Sequence, residues 1–197
     1  MKKLVMLLFG GLLCSQAFAS GYNRLYAGFS LMRFNDSESE NFRGVHLGYL
    51  RGINLTKDHI PLFLQLGGEA VYVTRGENMV DYEWRNHYMS VAVPINVSYK
   101  IGNGDVTVEP FAGINLRGNI ISCEYKAGTK YDFFDEFDVK RFQLGLNVGV
   151  GVNIKRIYVG YKFNPDLTDY VSGLTDFASD NSSLKSIYHH FSLGFNF

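Results

Sequence analysis

Charge of one sign, cysteine and long apolar runs are all scarce in this 197-residue chain, and each scarcity closes off a class of protein. Nineteen basic residues meet nineteen acidic ones. Nothing in that balance steers the chain toward nucleic acid. Cysteine occurs only at Cys14 and Cys123. Cys14 falls in a segment expected to be removed, so Cys123 is left alone and no intrachain disulfide can form. No stretch beyond residue 19 is apolar for the roughly 20 residues that a membrane helix needs. If the chain enters a membrane, it must cross with strands.

The first residues form a leader. Lys2 and Lys3 precede an apolar run over residues 4–13, and Ala17-Phe18-Ala19 is a small-x-small cleavage site before Ser20. The run is too short to span a bilayer, so residues 1–19 read as a cleaved secretory signal and residues 20–197 as one domain. Lys2 and Lys3 leave with the leader, so the 19 basic residues fall to 17 against 19 acidic ones. An exported chain without disulfides needs another source of stability, and a closed barrel is one.

Residues 141–154, RFQLGLNVGVGVNI, carry the plainest structural signal. Phe142, Leu144, Leu146, Val148, Val150, Val152 and Ile154 share one parity. Arg141, Gln143, Gly145, Asn147, Gly149, Gly151 and Asn153 share the other. Side chains alternate faces along a strand, so this is one strand with an unbroken apolar face. The opposite face is glycine and asparagine with a long polar group at one end. That suits a narrow lumen rather than open water, and the apolar face then looks out at lipid. The strand is also long enough, since a tilted membrane strand needs roughly 9–11 residues.

The same parity recurs near residues 24–32, 42–50, 62–73, 88–101, 106–120, 156–164 and 187–197. Three details qualify it. The alternation fails at Arg51 and Gly52, which predicts a bulge. Pro94 cannot donate to a ladder, which predicts a local irregularity. Gly102-Asn103-Gly104-Asp105 predicts a tight hairpin turn. Eight strands result, an even number, and the connections alternate long and short. The long ones cover residues 35–41, 75–86, 124–138 and 165–186. Outer-membrane barrels place long loops outside and short turns in the periplasm. The reading is therefore all-β: an eight-stranded antiparallel up-and-down transmembrane barrel of the bacterial outer membrane, with a terminal Phe197 of the kind such barrels commonly show.

Residues 87–118 combine Pro94, Tyr99-Lys100, Gly102-Asn103-Gly104 and Pro110-Phe111-Ala112-Gly113. This stretch, with residues 144–169 after it, resembles the hairpins of the PorT-like small outer-membrane barrels of Bacteroidota. The resemblance implies an eight-stranded outer-membrane barrel and, for a few members, a tie to protein secretion. It carries no catalytic residue.

Chemistry is sparse. His46, His59, His87, His189 and His190 form no ligand cluster, and the last two point to opposite faces of a strand, so neither a metal nor a cofactor is expected. No nucleophilic triad can be assembled from spacing. The inward parity does carry charge of both signs, at Arg24, His46, Glu69, Lys100, Glu109, Arg117, Arg141 and Lys162, with Gln65, Asn96, Asn115 and Gln143 between them. Charges in an enclosed space need partners. Glu69 and Glu109 are expected to pair with bases drawn from Arg117, Arg141, Lys100 and Lys162, and so to block a pore that eight strands already make narrow.

The residues left over gather in the long connections. They include Trp84 and the aromatic-acidic run of Asp132, Phe134, Asp135 and Phe137, whose spacing fits no Ca²⁺ loop. Binding residues usually gather on loops of a rigid scaffold. The function expected is a structural or interaction role through external loops, by a monomer surrounded by outer-membrane lipid and able to take a protein partner there. The alternatives are an outer-membrane enzyme with a rim active site, and a soluble secreted ligand-binding barrel whose apolar parity would face inward.

Overall fold

The computed structural model describes residues 21–36, 41–56, 60–78, 83–102, 104–136, 139–171 and 184–197. The expected leader, residues 1–19, lies outside them. The elements in chain order are β1 (Gly21–Phe34), β2 (Phe42–Asn54), β3 (Leu62–Asn78), β4 (Glu83–Tyr99), β5 (Val106–Lys126), β6 (Thr129–Asp132), the single helical turn α1 (Phe133–Glu136), β7 (Phe142–Ile154), β8 (Ile157–Pro165) and β9 (Ser186–Asn196). Each long strand pairs antiparallel with its sequence neighbours. β9 returns to pair with β1 along eleven residue pairs from Arg24↔Asn196 to Phe34↔Ser186. The ring is closed, and β6 is an annex on β5 alone. The fold is the eight-stranded antiparallel barrel that the parity implies.

Alternation sets the two faces. In β7, Gln143, Asn147 and Asn153 are buried while Phe142, Val148, Val150 and Ile154 are exposed. In β1, Arg24, Tyr26 and Ser30 point in while Leu25 and Phe29 point out. The barrel is polar inside and apolar outside, the reverse of a soluble protein. Such a wall suits hydrocarbon, in which a closed ladder leaves no backbone group unpaired. A soluble barrel with its apolar parity inward is not what forms.

Inward glycines make room for inward rings. Gly151 and Gly160 face each other across the β7–β8 ladder, and the Tyr158 ring lies over both. A Cβ at Gly151 would stand 2.1 Å from Tyr158 Cε2, and one at Gly160 would stand 2.1 Å from its hydroxyl. No other residue fits under that ring.

Several boundaries and irregularities differ from the sequence reading. The expected bulge at Arg51 and Gly52 is absent, since β2 keeps one register with both β1 and β3 through that point. The alternation fails there because Arg51 takes an outward position at the short-turn end, where it donates to Asn23 Oδ1 at 3.0 Å. The β3–β4 ladder omits Gly67 and Gly68 opposite Pro94 and Val93 and keeps its register on both sides, as the missing proline donor dictates. A bulge does occur in β5, where Met89 pairs with Ile121 but Ser90 pairs with Asn119. Ile120 is the extra residue, and both Ile120 and Ile121 end up exposed on the outer wall.

Two expected loops prove to be ladder. β3 continues to Asn78 and β4 begins at Glu83, so most of residues 75–86 is paired strand, from Arg75↔Asn86 to Asn78↔Glu83. β5 continues to Lys126 and turns back through β6 into α1. The neighbouring strands stop lower: β2 reaches β3 only as far as Arg43↔Thr74, and β7 reaches β5 only as far as Phe142↔Gly118. β3, β4, β5 and β6 therefore rise past the ring as a ribbon at the long-loop end.

Candidate functional site

The lumen holds three polar layers under an aromatic cap. The layer nearest the short turns centres on Glu109 of β5. Its carboxylate accepts from Arg24 Nη2 at 2.6 Å, Gln65 Nε2 at 2.7 Å, Asn153 Nδ2 at 2.9 Å and Ser98 Oγ at 3.1 Å, and from the Tyr22 hydroxyl. The Arg24 guanidinium lies 3.6 Å from the centroid of the Tyr158 ring. Lys100 sits at the mouth, its Nζ 3.6 Å from the centroid of the Tyr22 ring.

The middle layer centres on Glu69 of β3. Lys162 Nζ donates to both carboxylate oxygens, at 2.7 and 2.8 Å, and the Tyr26 hydroxyl donates at 2.9 Å. Ser30 Oγ lies 2.9 Å from His46 Nδ1 and 2.8 Å from His190 Nδ1. A hydroxyl has one proton to give, so one of the two imidazoles must carry its own proton on Nδ1. His46 Nε2 reaches Ser192 Oγ at 2.9 Å, and His190 Nε2 stands 3.8 Å from Glu69.

The third layer centres on Arg117. It donates to Ser90 Oγ at 3.1 Å and to Asn164 Oδ1, and its guanidinium lies 3.8 Å from the centroid of the Tyr188 ring. Asp166 is 3.4 Å from Arg117 Nε, an ion pair outside hydrogen-bond geometry. Above this layer Met32, Phe42, Val71, Val73, Tyr88, Val139, Tyr170 and Tyr188 form a buried apolar cluster, with Phe34, Phe133 and Phe134 packed against it. Tyr170, from the connection after β8, shares a hydrogen bond with Ser122. Burial pushes the pKa of its hydroxyl well above the usual tyrosine range, so it stays neutral.

The arrangement holds a cylinder shut. Ser30, His190 and Glu69 resemble a nucleophile, base and acid in kind, but Ser30 and His190 are 0% exposed. The cavity beside them, lined by Arg24, Gln65, Lys162 and Ser192 among others, measures about 30 Å³. That is room for one water and for no substrate. Among the described residues no group of three His, Cys, Asp or Glu could hold a metal ion.

The expected lumen residues fall into distinct places. Arg24 meets Glu109, Lys162 meets Glu69, and His46 joins the same middle layer. Arg117 meets Asp166, which the sequence reading left in a loop. Lys100 is stacked at the mouth. Arg141 departs from expectation: it is exposed on the rim, just before β7, with its guanidinium 4.3 Å from the centroid of the Phe134 ring. Its parity is inward, but the chain is no longer enclosed at that height.

The expected loop residues lie on the ribbon. Trp84 is in β4, donates Nε1 to Glu124 at 2.6 Å and carries Arg75 5.3 Å from its ring centroid. Asp132 ends β6 and accepts from the Phe134 amide at 3.1 Å, which starts α1. Phe134 packs on the cap, Asp135 is exposed, and Phe137 lies outside the described residues. Sequence reasoning missed Tyr22 and Tyr158 as lumen partners, and it gave Ser30 and Asn153 only an inward parity. Inward parity combined with facing glycines was the available signal for Tyr158.

No protein-family model matches the chain, and no curated protein matches it in sequence. Solved structures do share its fold. It superposes on Ail, the attachment invasion locus protein of Yersinia pestis, in complex with the heparin analogue sucrose octasulfate, with a TM-score of 0.51 at 16% identity, covering 90% of this chain and 99% of that one. Neisserial surface protein A gives 0.55 at 12% identity over 91% and 97%. The outer membrane enzyme PagL gives 0.50 at 11% identity over 88% and 97%. At these identities the likeness is one of fold.

Proposed function

We propose that this chain is exported by its leader, residues 1–19, and inserted as a monomer into the bacterial outer membrane. There it acts as a sealed barrel that presents the ribbon of β3, β4, β5, β6 and α1 to a protein partner. The observation that carries this reading is the division of the molecule. Its interior is filled by paired charges and an aromatic cap, while the ribbon rises clear of the ring with Trp84, Tyr125, Tyr131 and Asp135 on it. Exposed aromatic and charged groups on a rigid support are what recognition surfaces are made of. The short turns, with the start of β1 and the end of β9 beside them, face the periplasm in this reading, and the ribbon faces outside. Assistance to protein secretion, implied by the PorT-like resemblance of residues 87–118 and 144–169, is one form such docking would take.

The test is to replace residues 125–132 with a two-residue turn. The variant should still insert and keep its heat-modifiable gel mobility, because the eight-strand ring is untouched. It should lose the partner cross-linked to the unaltered protein in native membranes. A shortened protein that keeps its cross-linked partner and native phenotype, while Ser30→Ala or His190→Ala loses the phenotype, would replace the interaction reading with an enzymatic one.

A further inference from the structure

The outer wall is not uniform. A groove of about 500 Å³ runs along β1 to β4, with Ala27 and Ala70 at its floor and Val45, Leu47, Tyr72 and Met89 around it. The register explains the hollow: Ala27, Leu47 and Ala70 form one cross-strand row, so small residues flank a single large one. The next row toward the long loops is Phe29, Val45, Tyr72 and Met89, and the row after it is Leu31, Arg43, Thr74 and His87. Arg43 thus stands two residues beyond Val45 along β2, roughly 7 Å past the groove's loop-side end. Arg33, two residues beyond Leu31 on β1, has the same outward parity.

Both arginines are exposed, and neither has a carboxylate partner among the described residues. The next outward base, Arg85 of β4, is already paired with Glu83 at 2.6 Å. Tyr72 closes the side of the groove, its hydroxyl bonded to His87 Nδ1 at 2.6 Å. Guanidinium groups without a carboxylate partner among the described residues therefore cluster at the loop-side end of this hollow wall. A guanidinium at a membrane surface is suited to phosphate, which it binds through two parallel hydrogen bonds.

We propose that this wall binds a phosphorylated lipid of the leaflet at the loop end, with Arg33 and Arg43 on the phosphate and one acyl chain in the Ala27–Ala70 groove. The inference rests on the membrane-embedded reading above. The sequence also places Glu38 and Glu40 between the two arginines. Neutralisation by these acids is the competing account that the experiment must separate.

Full-length protein purified from membranes in mild detergent is loaded with equal amounts of dioleoyl phosphatidic acid and dioleoyl phosphatidylcholine, and retained lipid is counted by native mass spectrometry. Phosphatidic acid should be retained about tenfold over phosphatidylcholine, the ratio given by one or two charge-assisted contacts. Arg33→Gln with Arg43→Gln should bring the ratio near one. Ala70→Leu, which fills the groove floor, should lower retention of phosphatidic acid. Glycerol 3-phosphate at the same concentration should not compete. Equal retention of the two lipids, or an unchanged ratio in the double arginine variant, overturns the site and favours neutralisation by Glu38 and Glu40. Full competition by glycerol 3-phosphate, or full retention by Ala70→Leu, overturns the groove. A protein that stays in solution without any detergent overturns the membrane reading itself.

Discussion

Lys162 on β8 holds Glu69 on β3 from across the whole lumen, with Nζ 2.7 and 2.8 Å from the two carboxylate oxygens. In the ring order β3-β2-β1-β9-β8 the two strands stand four places apart in a ring of eight, on opposite walls. A tie of that span acts on the cross-section of the barrel, where a surface ion pair would not. Glu69 is 3% exposed. Glu69→Ala should therefore leave a buried ammonium unpaired and cost about 3–5 kcal/mol. Replacing both partners at once, Glu69→Leu with Lys162→Met, should recover much of that loss. Equilibrium urea unfolding in lipid vesicles measures both. An unchanged midpoint for Glu69→Ala would remove the pair from the account of stability.

The outer wall gives a second prediction. Val150 is exposed near the middle of β7. Val150→Arg should destabilise the inserted barrel by about 2–4 kcal/mol. A cysteine placed at position 148 should resist water-soluble thiol reagents in intact membranes and react with bilayer-restricted ones. Free reaction with the water-soluble reagent would turn the wall the other way.

How far such features could be read from sequence follows from the physics of each. Strand parity was legible because a two-residue period survives any tilt of the strand, and residues 141–154 display it without a break. The identity of lumen partners was not legible, because which strand faces which depends on the stagger of the whole ring. Glu109 meets Arg24, a base outside the set proposed for it, and Asp166 enters the lumen from beyond the end of β8. The ribbon was hidden because it stands above the apolar belt. Arg75, Arg85 and Trp84 can point either way there, so the alternation that marks a membrane strand vanishes while the ladder continues. The failed alternation at Arg51 was visible, but it records a hydrogen bond to Asn23 rather than an extra residue. The real bulge, at Ile120, falls in the adjacent pair Ile120-Ile121, whose two members look alike in any register.

Glycine under a tyrosine ring yields a third prediction. Gly151→Val places branched carbon where the Tyr158 ring lies, within 2.1 Å of Cε2 at the Cβ alone. The ring cannot move without disturbing Arg24, which stacks on it. Overpacking of this kind costs about 1–3 kcal/mol. Tyr158→Ala in the same chain should relieve the clash, so the double variant should lose less than the two single losses added together. Strict additivity in the unfolding midpoints would contradict the packing.

The cap yields a fourth. Tyr170 is 4% exposed and packs against Phe34 and Tyr88 with ring centroids 5.2 and 6.0 Å away. Removing such a ring costs about 3 kcal/mol. Tyr170→Ala should therefore release the connection between β8 and β9 from the loop end, and limited proteolysis should cut it faster while the ring stays folded. A cleavage rate equal to that of the unaltered protein would show that the cap does not hold the connection.

The central claim is that the barrel is sealed and works from its outside, and single-channel recording in planar bilayers tests it most directly. Purified protein should insert and give no conductance steps, because the Glu109, Glu69 and Arg117 layers fill the lumen and the aromatic cluster closes its loop end. Glu69→Ala with Lys162→Ala, by emptying the middle layer, should be the first variant to flicker. Stable, reproducible open-channel steps from the unaltered protein would contradict the account.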